Sequence, residues 1–266
     1  MSIQVEKEKR SEHSIGLING FIAYIIWGAV ILYWPYLAPA QPLEILAHRI
    51  LWSLLFVAAI LIYQKRIVSL KVVMKNARQM KLLAVASVLI GVNWGLFIWA
   101  SMNGHVLDSS LGYYITPLLN VALGVFFFKE KLRPMQWLAI GIAGFAVLFI
   151  TLAMGVVPWV ALSLSTSFTM YGYVKKLANV QALESLMIET LILTPVAIGY
   201  LIWLQFNGGN TFLEYGLDHT LWMASAGIFT AIHSWHLVLL LPDCHLPRLA
   251  CCNTSVQQSN SLSEYG

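Results

Sequence analysis

The chain has 266 residues, of which 59% are apolar and 11% charged, with a mean hydropathy of +0.73, whereas soluble domains average roughly 45–50% apolar and about 25% charged. That balance excludes an ordinary water-soluble domain. The net charge of +4, parcelled between apolar runs and not gathered on one face, excludes a nucleic-acid surface. All three cysteines, Cys244, Cys251 and Cys252, lie close to the C-terminus, so the body of the chain has neither a disulfide framework nor a thiolate metal site.

A helix needs roughly 20 mostly apolar residues to cross the hydrocarbon, because it rises about 1.5 Å per residue and must bond its backbone internally. Lys7, Lys9 and Arg10 resemble the start of a signal peptide, but the apolar run 15–37 is too long for one and reads as a retained first span. Further spans are expected at 44–63, 82–101, 107–128, 135–154, 156–173 and 185–205. A weaker eighth, 220–241, contains His233 and His236.

Lys and Arg stay on the cytoplasmic side of short loops. Three precede span 1, and six follow span 2: Lys65, Arg66, Lys71, Lys75, Arg78 and Lys81. Lys129, Lys131 and Arg133 follow span 4, and Lys175 and Lys176 follow span 6, while the loops after spans 1, 3, 5 and 7 have none. This alternation predicts a cytoplasmic N-terminus. Arg49, inside span 2, and Arg248, in the tail, are the exceptions. The loops are too short to hold a soluble domain, so the lipid bilayer is the obligatory partner.

Span 1 reads FIAYIIWGAV and span 6 SFTMYGYVKK. In each, an aromatic-glycine pair (Trp27-Gly28, Tyr171-Gly172) precedes an acidic residue, Glu44 or Glu184, that opens the next span. Five spans separate the copies, and an odd number forces opposite orientations, as in the inverted repeats of secondary transporters.

The segments EILAHRILWS and VLIGVNWGLFIWASMNGHVLDSSLGYYITPLLNVALGVFFFKEKLRPMQWLAI, with Pro117 in span 4 and Glu130 closing it, resemble the RarD branch of the EamA-type drug/metabolite transporters over about residues 16–232. The resemblance implies an all-α polytopic membrane protein, an inverted-repeat helix bundle of ten spans in a bacterial inner membrane. It also implies transport of small organic molecules without an ATPase domain or cofactor. Residues 1–154 would form the first five-helix repeat and 155–232 a partial second one. From His233 onwards the sequence departs from the family pattern, drifting into a polar Ser/Gln/Asn end. Residues 233–266 therefore read as an out-of-frame continuation, leaving seven or eight spans and an impaired permease, unless two copies complete each other as a homodimer. The RarD name is linked to chloramphenicol, which does not fix the natural cargo.

Ionisable residues within a membrane cost on the order of 2.5–3.5 kcal/mol at the helix centre, so they need a partner, a cavity or an exit. Glu44 and His48, four apart, share a helical face, and Arg49 follows about 10 Å deep. Arg49 either snorkels outward or contacts an anionic substrate; His48 is a relay candidate, since an imidazole titrates near physiological pH. Glu189 is a proton-coupling candidate or an interhelical hydrogen-bond partner, and its pairing with Arg49 is the boldest arrangement the two halves suggest. In span 4, Pro117 frees a carbonyl one turn earlier, and Tyr113, Tyr114 and Asn120 are candidate cavity contacts, as are Asn93 and Trp94 of span 3. Tyr171 and Tyr173 complete the expected lining from span 6. Asn93 and Asn120 could equally be interhelical glue. Tyr33, Trp34 and Tyr36 fit an interfacial belt. Gly91, Gly95, Gly141 and Gly144 suit close helix packing.

An intramembrane enzyme is disfavoured by the lack of HExxH, of paired intramembrane aspartates and of Gly-x-Ser-x-Gly. The Cys and His residues of the tail lack zinc-ligand spacing, and no metal is expected. A channel and a non-transporting scaffold remain as alternatives.

Overall fold

The computed structural model describes residues 33–128, 134–155 and 157–239. After a 3-10 turn, Trp34–Leu37, come α1 (Pro42–Tyr63), a short α2 (Ile67–Lys75), α3 (Ala77–Met102), α4 (Val106–Phe128), α5 (Pro134–Met154), α6 (Trp159–Ala178), α7 (Ala182–Phe206) and α8 (Gly216–Leu239). Apart from α2 these correspond to spans 2 to 8. Among the described residues α1, α3 and α7 are long and apolar enough to cross a membrane by length and composition. The fold is a polytopic membrane helix bundle.

Local chemistry sets the ends. A proline in its first turn starts α1, where its missing N–H is no loss. The Asn76 side chain accepts from the Arg78 and Gln79 amides at 3.1 and 3.2 Å, capping α3. Asn179, left-handed at φ 49°, ends α6.

The structure corrects several expectations. Span 6 begins at Trp159 and runs on to Ala178, so Lys175 and Lys176 belong to its last turn and not to a loop. The charged stretch after span 2 contains α2, whose apolar Val68 and Val72 are exposed beside Lys71 and Lys75. The described end of span 1 passes from a helical Tyr33 into a 3-10 turn, Trp34–Leu37. Tyr33 and Trp34 are buried in the main core cluster, and of the three belt candidates there Tyr36 is the exposed one. Lys129, Lys131, Arg133, Glu130, the first 32 residues and the tail beyond residue 239 lie outside the described residues.

α1 packs along both α7 and α8, α3 along α6 and α7, and α4 on α6. The tightest crossing is at Gly227 of α8, where an added Cβ would lie 2.4 Å from Trp52 Cβ and 2.6 Å from the Ser53 amide of α1. Only a residue without a side chain fits there. Gly91 and Gly95 do pack closely, against Leu193 and Leu46, whereas a Cβ at Gly141 or Gly144 would meet nothing within 4 Å. The close-packing expectation therefore holds for the α3 pair, while the α5 pair has no such neighbour among the described residues.

Candidate functional site

Two ends of the bundle are distinguished by charge. The lysine-rich end carries Lys65, Arg66, Lys175 and Lys176; the lysine-poor end carries the start of α1 and the 207–215 loop.

The acidic residues opening α1 and α7 are both fully buried. At the lysine-poor end, Glu44 Oε1 accepts from the Thr211 amide at 2.7 Å and the Thr211 hydroxyl at 2.9 Å. Thr211 belongs to the loop after α7. At the lysine-rich end, Glu184 is bound by Arg66, whose Nη2 lies 2.8 Å from Oε1 and 3.1 Å from Oε2. Arg66 belongs to the connection after α1. Each helix thus has its opening carboxylate satisfied by the segment that follows the other helix, at opposite ends of the bundle.

Five residues beyond each carboxylate lies a second buried charge. Arg49 is 7% exposed and turns inward, its guanidinium 4.2 Å from the Trp94 ring centre and 5.5 Å from that of Trp34. This is the geometry in which an aromatic quadrupole attracts a desolvated cation, and it excludes the outward snorkel. Tyr33 and Tyr113 lie within electrostatic reach of the same guanidinium. The indole Nε1 of Trp34 is buried without a hydrogen-bond partner among the described residues.

Glu189 does not pair with Arg49. Its Oε1 receives Lys175 Nζ at 2.9 Å and Ser185 Oγ at 2.5 Å, and its Oε2 receives the Tyr171 hydroxyl at 3.0 Å. Lys175 also donates to Ser185 at 2.6 Å and lies 5.2 Å from the centre of the Tyr171 ring. The reason is reach: Arg49 and Glu189 descend from opposite ends, and the last turn of α6 offers Glu189 a nearer cation.

Asn93 donates to the Leu164 carbonyl and to Ser167 Oγ, both at 2.9 Å, tying α3 to α6. Trp94 lies beneath Arg49, and Tyr113 meets Phe97 edge to face with ring centres 6.1 Å apart. Asn93, Trp94, Tyr113 and Arg49 thus share the region where α1, α3, α4 and α6 meet. Tyr114 and Pro117 lie on an exposed face of α4, and Asn120 is half-buried. His48 stacks on Phe212 with ring centres 4.3 Å apart. Among the described residues no group of three or more His, Cys, Asp or Glu is arranged to hold a metal.

Residues 14–152 match the EamA-like transporter family. The chain belongs to that family. It is 44% identical to the protein RarD of Streptomyces exfoliatus over 86% of this chain and 72% of the relative. It is 39% identical to the protein RarD of Escherichia coli strain K12 over 82% of this chain and 73% of the relative. No solved structure matches. This EamA member is a membrane transporter of the RarD type.

Sequence reasoning missed Arg66, Lys175, Ser185, Thr211 and Trp34. Arg66 and Lys175 were legible only as topology signals, because the positive-inside rule counts charges without asking where their side chains reach. The spacing from Lys175 to Glu189 on antiparallel neighbours joined by a short turn is the signal that pairs them.

Proposed function

We propose that this chain acts as an inner-membrane permease for small organic molecules, working by alternating access between two inverted repeats, with its N-terminus in the cytoplasm. The observation that carries the reading is the crossed pair of ties, Glu44 to Thr211 and Glu184 to Arg66. A pseudo-two-fold axis lying in the membrane plane would exchange α1 with α7 and one tie with the other, and the direct packing of α1 on α7 fits such an axis. Inverted repeats of this kind rock about a central site in secondary transporters. The alternation of Lys and Arg supports an orientation with the lysine-rich end inside.

The substrate contact would lie around Arg49, Trp94, Trp34, Tyr113 and Asn93. Aromatic faces and a desolvated guanidinium suit a flat organic solute bearing an anionic or carbonyl group, and the Trp34 N–H supplies a donor beside them. Tyr114, Pro117 and Asn120 of α4 and Tyr171 of α6 would flank the passage. Chloramphenicol belongs among the trial solutes, because a Pseudomonas aeruginosa relative, 29% identical, is named chloramphenicol-sensitive protein RarD.

The test is uptake and efflux of a panel of small metabolites and chloramphenicol in proteoliposomes, at matched protein abundance. Saturable flux that excess unlabelled solute competes away, and that Arg49→Met abolishes, is the expected result. Unsaturable ionic conductance would replace this reading with a channel. Absence of any solute flux would leave a scaffold.

A further inference from the structure

The connection between α1 and α3 is basic without internal compensation. Residues 65–81 hold six cations, Lys65, Arg66, Lys71, Lys75, Arg78 and Lys81, and no Asp or Glu occurs between Glu44 and Asp108. Arg66 is bound to Glu184. The other five are exposed, and among the described residues no carboxylate lies within ion-pair distance of any of them. Like charges gathered without a counter-charge in the fold attract an anionic partner from outside it.

A second, apolar signal lies on the same surface. Successive residues of a helix turn by about 100°. In α2 this puts Val68 and Val72 on one strip and Lys71 and Lys75 on a second, rotated from the first by roughly 60°. Leu70 and Val73 point the other way, into the cluster of Leu83 from α3, Ala178 from α6 and Ile188 from α7, and this fixes which side of α2 faces out. On that side Val68 is 73% and Val72 65% exposed. A valine strip running beside a lysine strip is the pattern of a helix lying in a membrane interface.

The fold puts α2 at such an interface. Both α1 and α3 are long and apolar enough to cross a membrane, and α2 joins their lysine-rich ends. It therefore lies where hydrocarbon gives way to headgroups. Tyr63, the last residue of α1, is exposed at this end, as interfacial aromatics are. From there valines can enter the edge of the acyl region while the lysine stems carry their ammonium groups out to the phosphates.

We propose that α2, with Lys65, Arg78 and Lys81 beside it, forms a docking surface for anionic phospholipid headgroups in the leaflet at the lysine-rich end. The lysine strip recognises the negative headgroup, and the valine strip sets the depth. Each basic residue near an anionic surface contributes roughly a fivefold factor in binding. A second copy of this chain is a poor occupant, because two such faces would set like charges against each other. Arg66 is the residue at which α2 begins, so a surface that holds α2 also steadies the base from which Arg66 reaches Glu184. Lipid recognition here is independent of the transporter reading.

The deciding experiment uses the full chain with its three native cysteines replaced by serine. It carries a fluorophore on Ser69→Cys, exposed beside the valine strip, and is reconstituted in vesicles of equal parts phosphatidylglycerol and phosphatidylcholine. Acyl-chain bromines are placed first on one lipid and then on the other, so that quenching compares the two in a single bilayer. Brominated phosphatidylglycerol is expected to quench more strongly. A label on Leu107→Cys, exposed at the lysine-poor end, is expected to show no such preference.

Lys71→Gln with Lys75→Gln is expected to lower the preference about fivefold for each lysine removed, while Lys71→Arg with Lys75→Arg retains it. Salt is expected to weaken it, since the screening length falls from about 8 Å at physiological ionic strength to about 3 Å at 1 M. Val68→Ser with Val72→Ser is expected to reduce quenching by both lipids as α2 rises out of the acyl region. Equal quenching by the two lipids, an equal preference at Leu107→Cys, or a preference indifferent to the lysine variants overturns the surface. So does disulfide formation between Ser69→Cys residues of two unlabelled chains, which would seat a second copy on this face.

Discussion

The two ends of the bundle hold equivalent carboxylates in opposite ways. At the lysine-rich end Glu184 and Glu189 face permanent cations, Arg66 and Lys175. At the lysine-poor end Glu44 is held by the neutral donors of Thr211. A fixed ion pair holds an end through charge at any ordinary pH, whereas neutral donors hold a carboxylate through hydrogen bonds alone. Charge thus makes a clamp of one end, while hydrogen bonds alone hold the carboxylate at the other.

The comparison breaks most severely at the clamp. Glu189→Gln leaves Lys175 buried without its counter-charge and is expected to destabilise the bundle by about 3–5 kcal/mol. Adding Lys175→Met should recover most of that loss, and thermal unfolding in detergent measures both. If the double variant is as unstable as the single one, the pair is not what holds this end.

Gly227→Ala acts midway between the two ends, where α8 crosses α1. It forces a Cβ into the backbone of α1 and is expected to cost about 1–3 kcal/mol, visible in the same unfolding assay and as easier labelling of cysteines along the α1–α8 seam. Thr211→Val removes one of the two donors to Glu44 and keeps the backbone N–H, so about 1.5 kcal/mol is expected. Its more telling readout is faster hydrogen exchange confined to the 207–215 loop. Smallest is Asn93→Leu, about 1 kcal/mol for hydrogen bonds to α6, which should affect both ends equally; a loss confined to one end would show that α3 belongs to only one of them.

Much of this was legible in the sequence. The apolar runs placed seven described helices of membrane length, since lipid leaves the backbone no alternative to internal bonding. The Glu44–Glu184 correspondence was visible as a weak repeat, and the structure gives it content through the crossed ties. What was illegible depended on side-chain direction. Arg49 could not be assigned an inward course without knowing that Trp34, set down as a surface aromatic, is buried beside it. Lys175 counted as a loop residue because a lysine in the last turn of an apolar helix looks, in the sequence, like the end of it. Thr211 carries no motif at all, and Gly227 looks like any other membrane glycine until α1 is laid against it.

The tie between Glu44 and Thr211 spans 167 residues of chain. At about 5–20 residues per second, α1 leaves the ribosome roughly 10–30 s before its carboxylate can meet those donors. During that interval an acidic helix has to be kept at the bilayer surface, shielded by the insertion machinery or neutralised by a proton. Assembly in the membrane is therefore a problem of waiting as well as of packing, and a chain stopped before Thr211 would leave that wait without an end.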